Sequence, residues 1–151
     1  MKTKNKYVML DLDGTIDIST HQLNFDKQLL ENVFTLCELY RAKIVLSTSW
    51  RFLKTVEEWN KIFRGLVVDK TPMYFPVDII SADEYGFIPY DKYQRGLEVK
   101  QWLNENNVSI DDCIIIDDND EFLPEQQHRF VECESSRGFD KERLNYALEL
   151  I

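Results

Sequence analysis

Histidine is nearly missing from this chain. Only His21 and His128 occur in 151 residues, too isolated to give a metal-ligand spacing, and both read as surface residues. Cysteine is almost as scarce. Cys37, Cys113 and Cys133 lie far apart in apolar contexts, which excludes a disulfide framework or a zinc site and leaves reduced packing residues. No apolar run is long enough to span a bilayer, and the basic start Met1–Lys6 leads into a strand pattern without a signal-peptide core. A cytoplasmic location is the expectation. Internal repeats, low-complexity tracts and domain-sized linkers are also lacking, so residues 1–151 read as one domain. Positive charge is short: 18 Lys and Arg against 27 Asp and Glu, a net charge of −9. Such a surface repels polyanions over most of its area, so any nucleic-acid contact must be local.

Against these absences, one stretch carries an unusual concentration of chemistry. The apolar run Tyr7–Leu10 delivers Asp11 and Asp13 into a Gly14–Thr15 turn. A short apolar run followed by turn residues suits a buried strand. Alternate residues of a strand share a face, which would aim both carboxylates at one point just past its end. Two like charges that close repel unless a proton or a cation sits between them. The pair therefore points to a divalent metal, to proton transfer, or to both.

Periodicity along the rest of the chain alternates between helix and strand. Asp26 reads as the N-cap of a helix over Lys27–Arg41, with Leu29, Leu30, Val33, Phe34, Cys37 and Tyr40 at helical spacing. A second strand, Lys43–Thr48, ends in hydroxyls and meets Ser49, Trp50 and Arg51. A second helix runs from Phe52 to near Gly65. Residues 66–76 form a connection with a short extended piece at Leu66–Val68, and Val77–Ile80 is expected as the third strand. A helix over Gly96–Asn106, a strand over Asp112–Ile116 ending at Asp117 and Asp118, and a strand over Phe130–Cys133 follow. A last helix, capped near Asp140, is expected to bury Leu144, Ala147, Leu148 and Ile151. This alternation predicts an α/β fold: a three-layer, doubly wound parallel sheet of about five strands. Ligands of such sheets bind beyond the carboxyl ends of the strands. All three polar clusters, Asp11/Asp13, Thr48/Ser49 and Asp117/Asp118, fall there.

Together the clusters suit phosphoryl chemistry. A carboxylate at a buried strand end can attack phosphorus, and a neighbouring carboxylic acid can protonate the leaving oxygen and later deprotonate water. Hard oxygen ligands from Asp11, Asp117 and a backbone carbonyl suit Mg²⁺. Thr48 and nearby backbone N–H groups would hold a phosphoryl oxygen, with Arg95 or Lys100 as the balancing cation.

Asp11-Leu-Asp-Gly-Thr15, the hydrophobic run into Thr48, a basic residue at Arg95 or Lys100, and Ile116-Asp-Asp118 resemble, in order, the four motifs of the haloacid dehalogenase (HAD) superfamily. The resemblance implies a HAD-like Rossmannoid fold with Asp11 as nucleophile, Asp13 as general acid/base, Thr48 and Arg95 as catalytic partners and Mg²⁺ as cofactor. It assigns the metal to Asp11, Asp13, Asp117 and Asp118, and phosphate binding to Thr48 and Ser49, with Arg51 and Lys100 as further contacts. Thr48-Ser-Trp-Arg51 and Arg95–Leu103 are similar to the HAD domain of Swiss Army Knife RNA repair proteins. They are more distantly similar to the polynucleotide kinase–phosphatase 3′-phosphatase and to 5′(3′)-deoxyribonucleotidases. Arg95 fits the third motif in the repair-type alignment, Lys100 in the polynucleotide phosphatase one.

Only about 34 residues separate Asp13 from Thr48 and about 46 separate Thr48 from Arg95, too few for a separate cap domain on ordinary element lengths. A capless or minimally capped site favours a bulky substrate. The loop Ile16–Phe25 and the stretch Tyr85–Tyr90 are candidate rims, with Tyr85, Phe87, Tyr90 and Tyr93 as candidate base-stacking residues beside their more ordinary use in packing. The expectation is a Mg²⁺-dependent phosphatase acting through an aspartyl-phosphate on a nucleotide or polynucleotide end, as in nucleic-acid repair. A deoxyribonucleotidase-like enzyme, a phosphoprotein phosphatase and a non-catalytic HAD-like binding module are the alternatives.

Overall fold

A computed structural model describes residues 4–19, 23–74 and 92–151. Five strands, β1 (Lys6–Leu10), β2 (Ala42–Leu46), β3 (Val67–Lys70), β4 (Cys113–Asp117) and β5 (Phe130–Glu132), pair in parallel in the order β3-β2-β1-β4-β5. The described helices are α1 (Lys27–Tyr40), α2 (Val56–Phe63), α3 (Gln94–Asn106) and α4 (Lys141–Glu149), with 3₁₀ turns at Ile110–Asp112 and Pro124–Arg129.

Strand alternation sorts the apolar residues into two cores. Val8, Leu10, Ile44, Leu46, Ile114 and Ile116 face α1, α2 and α4, burying Trp59, Phe63 and Leu144 among them. Met9, Val45 and Ile115 face the other way, against Val99, Trp102 and Leu103 of α3. Strands buried on both faces read as continuous apolar runs, as these do. The result is the expected three-layer α/β sandwich. The Trp102 indole N–H ties α3 to the sheet by donating to Asp69 of β3 at 2.8 Å.

Helix ends follow local chemistry. Asp26 accepts from the backbone of Gln28 and Leu29, as expected of an N-cap. Helix α2 starts at Val56, later than the apolar spacing suggested, because Thr55 and Glu58 close a capping box there. The third strand of the sheet is Val67–Lys70, where only a short extended piece was expected. Val77–Ile80, the predicted third strand, lies outside the described residues, as do Tyr85, Phe87 and Tyr90 of the expected aromatic rim. Ile151 is 49% exposed, not buried: α4 ends at Glu149, so its apolar face stops short of the terminus. All three cysteines are buried and unpaired with one another, and burial pushes the Cys37 and Cys113 thiols up to about 12. No helix among the described residues is long and apolar enough to cross a membrane.

Candidate active site

The carboxyl ends of β1, β2 and β4 meet at the middle of the sheet, on either side of the point where strand order reverses. Ladder hydrogen bonds continue one residue past β1, β2 and β5: Asp11 N–H donates to Ile116 at 3.0 Å, Ser47 N–H to Leu10 at 2.9 Å and Cys133 N–H to Asp117 at 2.9 Å. These bonds place Asp11, Thr48 and Asp117 side by side on rigid backbone.

Asp11, Asp117 and Asp118 offer carboxylate oxygens that all lie within 4.8 Å of one another. Asp11 and Asp117 are buried. Burial, and then the charge of Asp118, raise the Asp11 pKa to about 7. Burial, followed by the charge of Asp11, pushes Asp117 well above the carboxylate range. Carboxylates this close oppose one another's ionisation unless a proton or a cation lies between them. Three clustered hard oxygen donors with an excess of negative charge fit a divalent cation such as Mg²⁺ in donor type and in electrostatics.

Gly14 makes this closeness possible. Its φ of +74° suits glycine, and an added Cβ would lie 2.1 Å from Asp118 Oδ2. Asp118 is held from its other side by the Ser135 hydroxyl at 2.7 Å. The Leu12 carbonyl gathers the N–H groups of Thr15, Ile16 and Asp17, so the chain turns immediately after Asp11. Burial pushes the Asp17 carboxyl up, but hydrogen bonds from Ser19 and Asn24 outweigh it and leave its pKa below the ordinary value.

That turn corrects the first expectation about Asp13. β1 ends at Leu10, so strand alternation does not carry Asp13 alongside Asp11. The Asp13 carboxylate lies outside the three-carboxylate cluster, where Oδ2 accepts the Trp50 indole N–H at 2.6 Å. Trp50 therefore orients Asp13 while its ring packs against the core. The available signal was its indole N–H, which requires a partner when half-buried.

Thr48 is fully buried, and its Oγ1 accepts the Trp50 backbone N–H at 3.2 Å. Ser49 Oγ accepts from Arg95 Nη2 at 2.6 Å, bringing the first turn of α3 onto the β2 end. Of the two candidate cations, Arg95 is the one whose charge lowers the Asp11 pKa. Lys100, one turn further along α3, pairs with Glu125 at 3.5 Å.

Arg51 is not placed as a phosphate contact. It is only 3% exposed, and its guanidinium donates to the carbonyls of Thr48, Thr71 and Pro72 and to Glu98. Burial lowers its pKa, and the Glu98 charge opposes that. The physical reason is local: the tight turn after β2 tucks residue 51 beneath the site, where its fork braces three carbonyls. Glu98, which sequence reasoning missed, joins this brace to Arg95. It is 1% exposed, with Oε1 accepting from Arg95 at 3.1 Å and Oε2 from Arg51 at 3.0 Å and Tyr74 N–H at 3.2 Å. A glutamate three residues after an arginine was its only sequence signal.

A family model for the HAD domain in Swiss Army Knife RNA repair proteins matches residues 7–144. Comparisons with curated proteins and with solved structures give no significant match. The matched span runs from β1 into α4 and takes in every strand and every residue of the carboxylate cluster. The chain therefore belongs to this HAD family, which implies phosphohydrolase chemistry on a phosphorylated substrate.

Proposed function

We propose that the protein is a Mg²⁺-dependent phosphatase that hydrolyses the phosphomonoester of a nucleotide or a polynucleotide end. The observation that carries this reading is the gathering of carboxylate oxygens of Asp11, Asp117 and Asp118 within 4.8 Å of one another at the carboxyl edge of the sheet. Asp11 Oδ would attack phosphorus while the ester P–O bond breaks, and Asp13 would give its proton to the departing oxygen. Water would then attack the aspartyl-phosphate, losing its proton to Asp13 and releasing phosphate from Asp11. Thr48 and Ser49 would hold phosphoryl oxygens, with Arg95 meeting their charge. Mg²⁺, held by Asp11, Asp117 and Asp118, would supply charge neutralisation for the carboxylates and the phosphoryl group. Arg51 and Glu98 would keep the β2 turn and Arg95 in register.

The test is phosphate release from an aryl phosphate with Mg²⁺ and with EDTA, in wild type and in Asp11→Asn. Turnover should require Mg²⁺ and should fall at least about 10³-fold in the variant, the scale for loss of an essential nucleophile. Unchanged release by a folded Asp11→Asn protein would refute the assignment.

A further inference from the structure

A cavity of about 320 Å³ opens beside the carboxylate cluster, between the turn at residues 13–18 and the hairpin at residues 134–138. Its walls include Asp13, Gly14, Ile18, Asp118, Ser135 and Ser136. We infer that this cavity receives the leaving group of the substrate and selects an uncharged, hydroxyl-bearing group of about one sugar unit, so that the phosphate removed is the substrate's only one. The inference rests on the phosphatase reading above and narrows its substrate class.

Position is the first argument. Asp13 would protonate the departing oxygen, and Asp13 is a wall of this cavity, so a phosphoryl group at Asp11 directs the rest of its ester here. Size is the second, since 320 Å³ stands at the low end of the roughly 300–1,000 Å³ of small-molecule sites. That suits one ring and not a run of nucleotides.

Charge is the third argument. The ionisable groups lining the cavity are all carboxyls, and Arg137 next to it pairs with Asp140 and Glu142. With Mg²⁺ on Asp118 and the transferable proton on Asp13, the Asp17 carboxylate still gives this wall negative charge, and no cationic side chain among the lining residues meets a second phosphate. An uncharged sugar meets no such barrier. Its hydroxyls find partners in the Ser135 and Ser136 hydroxyls, and its C–H face finds Ile18, which is 40% exposed.

The walls are also braced against each other. Phe139 N–H donates to the Thr15 carbonyl at 2.7 Å. Gly138, at φ +66°, lets the hairpin approach so closely that a Cβ would meet that carbonyl oxygen at 2.4 Å. The cavity is thus a feature of the packed fold.

The experiment compares a nucleoside 5′-monophosphate, ribose 5-phosphate, a nucleoside 3′,5′-bisphosphate and a 3′-phosphorylated oligonucleotide, by kcat/KM in wild type and by calorimetric binding to Asp11→Asn with Mg²⁺. The two monophosphates should exceed the bisphosphate and the oligonucleotide by about tenfold or more, and the gap should narrow as salt screens the repulsion. Ser136→Arg should raise the oligonucleotide-to-monophosphate ratio several-fold. Equal or better use of the bisphosphate or oligonucleotide by wild type, or a ratio unmoved by Ser136→Arg, overturns the inference. If even an aryl phosphate is not hydrolysed, the phosphatase reading fails. The binding preference of the Asp11→Asn protein still decides the cavity's selectivity.

Discussion

At the amino end of the sheet, Asp112 meets the Lys6 ammonium at 2.6 Å, and Arg129 ties the carbonyls of Cys113 and Leu150 to the Tyr40 hydroxyl. The hydrogen bond that Lys6 donates to Asp112 raises the Lys6 pKa, against a smaller effect of burial. At the carboxyl end, Asp11, Asp117 and Asp118 face one another, and two of them are pushed up the pH scale. Both ends border cavities of similar size, about 280 Å³ and about 320 Å³. Cavity volume therefore does not separate function from architecture here. Electrostatic balance does: one end pairs its charges, and the other stores repulsion that a bound cation would relieve.

Four perturbations sharpen that contrast. The largest effect on the fold should come from Glu98→Ala, which strands the buried Arg51 guanidinium beneath the site. Removing one partner of a buried ion pair costs about 3–5 kcal/mol, against about half that for Glu98→Gln, and chemical denaturation measures both. Next is Arg95→Ala, expected to lower kcat/KM by about 10²–10³-fold, the scale for losing one preorganised charge donor. Lys100→Ala, which breaks only a partly exposed pair with Glu125, should stay within about twofold. A larger loss in Lys100→Ala than in Arg95→Ala would reassign the third-motif cation.

The third perturbation is pH. The Asp11 pKa of about 7 in the fold lies above its value near 4 in the unfolded chain. Between those values the folded state binds the extra proton, so the metal-free protein should lose stability as pH rises from about 4 to 7. Asp17, whose pKa is lowered, acts in the opposite sense and only at more acidic pH. Mg²⁺ should raise Tm by about 5–10 °C at a hundredfold excess over Kd near pH 7.5, and by less at pH 5. Calorimetric scans check both slopes, and Asp11→Asn should flatten them. The smallest effect is Lys6→Ala at the amino end. Its pair is partly exposed, so the loss should be at most about 1 kcal/mol, with phosphate release unchanged.

Much of the site was legible because its residues belong to local patterns. Asp11, Thr48 and Asp117 follow apolar runs, and a parallel sheet puts every such position at one edge. Asp13 was misplaced because alternation was carried past Leu10 into a turn governed by Gly14 and the Leu12 carbonyl. Arg51 was misread because a guanidinium beside a phosphate site and one clamped beneath it have the same sequence signature. Trp50 and Glu98 gained their roles from partners 37 and 47 positions away.

The order of strands and helices, the two buried faces and the acid-bearing strand ends were determined by sequence alone, since hydrophobic periodicity and turn chemistry act over a few residues. Which carboxylates converge, which arginine meets Ser49 at the end of β2 and which one is walled in were decided only by tertiary packing. Those outcomes depend on distances of a few ångströms between segments remote in the chain, where burial and neighbouring charge set what each side chain can do.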